Sequence, residues 1–174
     1  MPNAVTTTAR IRVTDSTNES IVKDESTNFA IIAVLDVTQP ENGHVVPAQD
    51  SYVIQWSKGN ATGIPNIVVQ YATDGGSNYT TIATVSGLQS SHTWTPTPAT
   101  ISSDCKIRIY DPTVFNPANP DTFNVGVGTF EIRGSIHVTS PNTGNEKWKV
   151  GSSYPITWTK KGNINTLKML YSAN

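Results

Sequence analysis

The sequence predicts an all-β chain of successive antiparallel sandwiches, and three observations carry that reading. Strand-favouring Thr, Val, Ile, Tyr and Trp alternate with clusters of Asn, Gly, Pro and Asp, and no segment sustains a capped helical period. Apolar residues recur at every second position of short segments, as a half-buried strand requires. Whole blocks of sequence also return in the same order about 101 residues later, close to the length of one sandwich domain.

The repeat fixes the organisation. LDVTQPENG (35–43) returns as IHVTSPNTG (136–144), SYVIQWSKGN (51–60) as SYPITWTKKGN (153–163), and NIVVQYAT (66–73) as TLKMLYSA (166–173). A second match joins the beginning to the middle: residues 1–17 align without gaps on 97–113, so that Ile11 answers Ile107, Arg12 answers Arg108 and Asp15 answers Asp111. STNFAI (26–31) then answers GTFEI (128–132). Residues 1–33 therefore read as the closing strands of one repeat, 34–134 as a complete repeat, and 135–174 as the opening strands of a third. The expected fold is tandem immunoglobulin-like (fibronectin III-like) antiparallel β-sandwiches, seen through a window of a longer protein. The two end pieces are expected as truncations. As complements of each other they would still lack counterparts of the strands between Gly75 and Pro96.

Taken in order, Ile11 and Val13 alternate with Arg10, Arg12 and Thr14 in the first piece. Tyr52, Ile54 and Trp56 share one face of an early strand of the middle repeat, and Ile67, Val69 and Tyr71 form the inward set of the next. Asp74-Gly75-Gly76 makes a turn of residues that tolerate positive φ, leading to a strand at 79–84. His92 to Thr95 gives a short strand carrying Trp94. Ile107 and Ile109 point inward, opposite Lys106, Arg108 and Tyr110. Cys105, the lone cysteine, faces the same core at the position that Ala9 holds in the preceding repeat; with no partner it forms no intrachain disulfide. Tyr154, Ile156 and Trp158 repeat the Tyr52, Ile54, Trp56 spacing and are expected in a core of their own. Trp148, in NEKWKVG, is expected to pack at a domain end.

The junctions NFAIIAVLDVTQP and EIRGSIHVTSP contain no Gly/Ser-rich spacer, so neighbouring units are expected to be joined stiffly.

Composition bounds the function. Charged residues are 14% of the 174 and the net charge is -1, which excludes the clustered basic footprint of a nucleic-acid binder. The most apolar stretch, FAIIAVLDV (29–37), is too short to span a bilayer. Ser and Thr together number about 40, a hydroxyl-rich, Lys- and Glu-poor balance that favours an extracellular or cell-surface location.

The assembled motifs resemble bacterial extracellular immunoglobulin-like surface repeats related to the broad Ser/Thr-rich, glycosylphosphatidylinositol-anchored cell-wall protein domain family. They include VTSPNTGNEKWKVGSSYPITWTKKGN, TWTPTPATISSDCKIRIYD, the DGG turn and the closing TFEI. The resemblance implies spacers, adhesive modules or wall-associated structural units, with no catalytic function.

The residues themselves contain no nucleophile elbow, phosphate loop, dinucleotide fingerprint or metalloprotease helix. His44, His92 and His137 lack the spacing of zinc ligands. Asp15, Asp111 and Asp121 fall in loops near strand ends, where calcium stiffens some tandem surface domains, but no loop has the alternating acidic ligands of an EF-hand. No enzyme and no cofactor is expected. Asn18, Asn60 and Asn78 each open an N-glycosylation triplet, a number that chance alone supplies at this composition. The expected function is a structural repeat segment of a filament, stalk or surface fibre, with an adhesive or carbohydrate-binding module as the alternative. The expected partners are neighbouring repeats, identical chains in a fibre, and surface glycans or proteins.

Overall fold

Alternating apolar and polar residues produce strands throughout the computed structural model, which describes residues 3–96 and 100–173. Before the central body come β1 (Thr6–Ala9), β2 (Arg12–Thr14), β3 (Lys23–Glu25) and β4 (Phe29–Ile31). The central body comprises β5 (Asp36–Gln39), β6 (Val45–Pro47), β7 (Tyr52–Ser57), β8 (Asn66–Ala72), β9 (Thr80–Ser86), β10 (Ser91–Trp94), β11 (Ser102–Tyr110), β12 (Phe123–Val125) and β13 (Phe130–Arg133). After it come β14 (Ser135–Ser140) and β15 (Thr157–Lys161). Among the described residues the chain is all-β, relieved by one 3-10 turn at Pro120–Thr122.

Two sheets make the central sandwich. One has the order β10-β7-β5; the other runs β6-β13-β11-β8-β9, with β12 also paired to β11. Ile54 and Trp56 on β7 and Val37 on β5 meet Ile67, Val69, Ile107, Ile109, Phe130 and Ile132 from the other sheet. Trp94 and Cys105 complete this core, and Tyr52 packs half-buried at its edge. Burying so many side chains of this size, at about 1.5–3 kcal/mol each, offsets the entropy of ordering the chain.

The antiparallel expectation fails at one strand. β6 runs parallel to β13, with Val45 opposite Glu131 and Pro47 opposite Arg133. The segment β5–β6 begins on the small sheet and, after the turn at Gly43 (φ 74), finishes on the edge of the large one. One polypeptide stretch thereby caps both layers. The alternation of side chains records which face is buried, but it is silent on which neighbour supplies the hydrogen bonds.

The flanking strands reproduce the central registers. In the centre, Ser102 faces Ile132 and Cys105 faces Phe130 across a register shift; before it, Thr6 faces Ile31 and Ala9 faces Phe29 across the same shift. Arg108, Ile109 and Tyr110 oppose Val125, Asn124 and Phe123, as Arg12, Val13 and Thr14 oppose Glu25, Asp24 and Lys23. Val37 opposite Trp56, then a shift to Gln39 opposite Gln55, returns as Val138 opposite Trp158 and Ser140 opposite Thr157. The Gln39–Pro40 and Ser140–Pro141 peptides are both cis.

Burial does not follow the registers, and this corrects part of the expected core. Ile54 and Trp56 are 0% and 3% exposed, whereas Ile156 and Trp158 are each 39% exposed and Tyr154 is 37% exposed. The β14–β15 pair has no facing sheet among the described residues, so its inward face meets solvent. Residues 166–173, expected as a strand, join no ladder for the same reason: their counterpart β8 is held between β11 and β9. Before the sandwich the pattern is the same, with Val13 69% exposed against 0% for Ile109.

Candidate functional site

The three histidines sit apart: His44 lies 5.2 Å (ring centroids) from Tyr52, His92 pairs with Ile54 on β10, and His137 pairs with Thr159 on β14. Among the described residues no three His, Cys, Asp or Glu side chains converge as a metal site would require. Cys105 is fully buried, its Sγ 3.6 Å from the Ser102 carbonyl, and burial pushes its thiol up in pKa, away from the nucleophilic thiolate.

The loop carboxylates have local work. Asp111 Oδ1 accepts hydrogen bonds from the Thr113 amide (2.9 Å) and hydroxyl (2.7 Å), and Asp15 Oδ1 accepts the Thr17 amide at 2.8 Å. Both are Asx turns at equivalent points of the repeat. Asp121 lies exposed on the 3-10 turn, its amide donating to the Asn119 side chain. Of the glycosylation triplets, Asn18 and Asn60 present exposed side chains, but Asn78 Nδ2 donates to Asp74 Oδ2 at 2.7 Å. Trp148 is partly exposed at the end of the third piece, stacked on Tyr154 at 5.0 Å with 3° between the rings.

A cluster that sequence reasoning missed lies on the outer face of the large sheet. Arg108 stacks over Tyr79, its Cζ 3.8 Å from the ring centroid, with Phe115 and Phe123 within 6 Å. Tyr110 and Phe115 stack at 4.0 Å. Gln70, buried beneath, accepts two hydrogen bonds from Arg108 through Oε1, at 3.0 and 2.6 Å. The guanidinium is thus held flat against half-buried rings, a surface suited to stacking a planar or sugar-like face. The available signal was the outward set Arg108 and Tyr110 on β11. The other rings come from distant loops. The first piece lacks the platform, having Thr14 at the Tyr110 position and Lys23 at that of Phe123.

The second notable geometry is at the junctions. Four residues separate β4 from β5, and Gly134 alone separates β13 from β14. At the first junction, the Val5 amide donates to the Thr62 carbonyl at 2.9 Å and the Thr62 amide to the Asn3 carbonyl at 2.7 Å, while the Val5 side chain packs on the central core. At the second, Ile101, which occupies the Val5 position of the repeat, lies against Gly162 and Gly134. Lys161 pairs with Asp50, and the Gly162 amide donates to Gln49 Oε1 at 2.9 Å. Both junctions therefore set the same repeat position against the loop that follows the β7-type strand of the next unit.

The third feature is apolar. Val138, Trp148, Ile156, Met169 and Tyr171 line an open cleft of about 780 Å³ on the third piece.

No family model, curated protein or solved structure matches the chain.

Proposed function

We propose that the chain is a non-catalytic structural segment of a long extracellular filament, stalk or surface fibre. In this reading residues 34–134 are one complete immunoglobulin-like (fibronectin III-like) sandwich between parts of two others, in the manner of the Ser/Thr-rich surface repeats that the sequence resembles. The observation that carries it is the recurrence of the strand registers on both sides of the sandwich, together with junction contacts made from equivalent positions. Each unit buries its own core, and a junction without slack passes orientation and load to the next. The extracellular location rests on the hydroxyl-rich, charge-poor composition.

Small-angle scattering of a chain carrying three complete units tests this reading. A maximum dimension that grows by one unit length per repeat supports it; the profile of freely jointed domains refutes it. The Arg108 platform favours a second reading, an adhesive or carbohydrate-binding module, and a glycan-array signal abolished by Tyr79→Ala would support that one instead.

A further inference from the structure

Two cations on the outer face of the large sheet stand where the preceding repeat keeps a pair of arginines balanced by an acid. In that repeat Arg10 and Arg12 both reach Glu25, Arg10 at 3.7 Å. The gapless alignment puts Lys106 and Arg108 at the same two positions. The register that sets Arg12 opposite Glu25 sets Arg108 opposite Val125, so the balancing carboxylate is gone. Among the described residues neither Lys106 nor Arg108 has an acid within ion-pair distance. Gln70 takes Nε and Nη2 of Arg108, and Nη1 has no hydrogen bond among those residues.

Aromatic rings gather where the acid is lost. Tyr79, Tyr110, Phe115 and Phe123 all lie within 6.0 Å of the Arg108 Cζ, measured to their centroids, and all are half-buried. They come from β12, β11, the loop between these two, and the residue before β9. With Gln70 of β8 in the middle, the strip crosses four adjacent strands, about 14 Å at the usual strand spacing.

We infer that this strip binds an acidic polysaccharide, its sugar faces stacked on the rings and a carboxylate held by Arg108 Nη1 and the Lys106 ammonium. The inference rests on the binding-module reading above and gives that module its ligand class. It holds whether or not the units form a stiff array.

The charge pattern selects this ligand over others. The chain as a whole carries a net charge of -1, so the two cations are a local feature and not part of the basic footprint a polynucleotide needs. A guanidinium laid on a ring stays charged and weakly hydrated, and its remaining N–H groups make short charge-assisted bonds to a carboxylate. Rings held by their neighbours offer contact area with little ordering left to do. The acids at the turn end of the strip are turned to other work: Asp104 lies beside Gly75, and the Asp74 carboxylate accepts the Ser77 and Asn78 amides.

Titration calorimetry of the full chain tests the inference with four oligosaccharides of matched length. Two are acidic, an oligogalacturonate and a hyaluronan fragment; one is the methyl ester of the oligogalacturonate; one is a neutral cello-oligosaccharide. At least one acid is expected to bind with a Kd on the order of 100 μM, and the ester and the neutral sugar about tenfold or more weakly. Val125→Glu restores the acid of the preceding repeat and is expected to weaken acid binding about tenfold or more, with little effect on the neutral sugar. Lys106→Gln acts in the same direction, and Tyr79→Ala weakens every sugar that binds. Near-UV circular dichroism of the buried Trp56 and Trp94 checks that each variant keeps its sandwich. Equal affinity for acid and ester, or acid binding untouched by Val125→Glu, overturns the inference. A neutral sugar that binds and is lost in Tyr79→Ala, with neither acid binding, overturns it too but keeps the binding module. Silence from all four at millimolar concentration overturns both.

Discussion

Gly162 concentrates the argument for a stiff junction into one methyl group. Its φ is +81, and a Cβ there would lie 2.7 Å from Ile101 Cδ1 and 3.1 Å from Ala48 Cβ. In Gly162→Ala two costs combine. The left-handed conformation costs an alanine about 1–2 kcal/mol. The crowding adds about 1–2 kcal/mol, because the Ile101 tip can swing away but Ala48, fully buried, cannot. Gly144 supplies the control: its φ is +74, and a Cβ there meets nothing within 4 Å, so Gly144→Ala carries the conformational cost alone. Native-state hydrogen exchange of the residue 162 amide, which donates to Gln49 Oε1, reads the junction directly. Exchange in Gly162→Ala is expected to rise about 30- to 1000-fold, and in Gly144→Ala not at all at that amide. Equal exchange at residue 162 in both variants would refute the claim that close packing holds the second junction.

Three further outcomes are expected. Ile54→Ala costs about 2–5 kcal/mol in denaturant unfolding, whereas Ile156→Ala at the equivalent, half-covered position costs under ~1.5; equal losses would contradict the open third piece. Glu146 accepts the amides of Asn142 and Thr143 at 2.8 and 2.7 Å, which hold its carboxyl down from 4.5 to about 2. A depressed carboxyl favours the ordered loop above the ordinary value and loses that contribution as pH falls through about 2, so the Asn142 and Thr143 amide shifts are expected to titrate there; a midpoint near 4.5 would remove the contact. Cys105 is expected to resist thiol reagents until the sandwich unfolds, and rapid modification of the native protein would show that it is not sealed in the core.

How much of this was legible depended on which physical quantity each residue encodes. The strands carrying Tyr52, Ile54 and Trp56, and Ile107 and Ile109, follow from alternation, because a pleated strand alone fixes which side chains share a face. Burial is a different quantity. Ile54 and Ile156 stand in nearly the same local sequence, yet among the described residues only the first has a sheet opposite it, and no local pattern reports the presence of that sheet. β6 was not among the expected strands, and its parallel pairing to β13 depends on a crossing between layers that the chain makes at a turn. The Arg108 platform was not legible because Tyr79, Phe115 and Phe123 meet only through the fold. At the junctions the missing spacer was visible in the sequence. The requirement for a residue without Cβ at 162 was not, since it arises from Ala48 and Ile101 in the neighbouring unit.

Residual dipolar couplings on the full chain test most directly whether successive units hold a fixed orientation. If the β1–β4 ladders, the sandwich and the β14–β15 ladder are joined as the contacts at Thr62 and Gly162 require, amides from all three fit one alignment tensor. Three tensors of different magnitude would mean that the pieces tumble separately, and the account of a load-bearing array would fail.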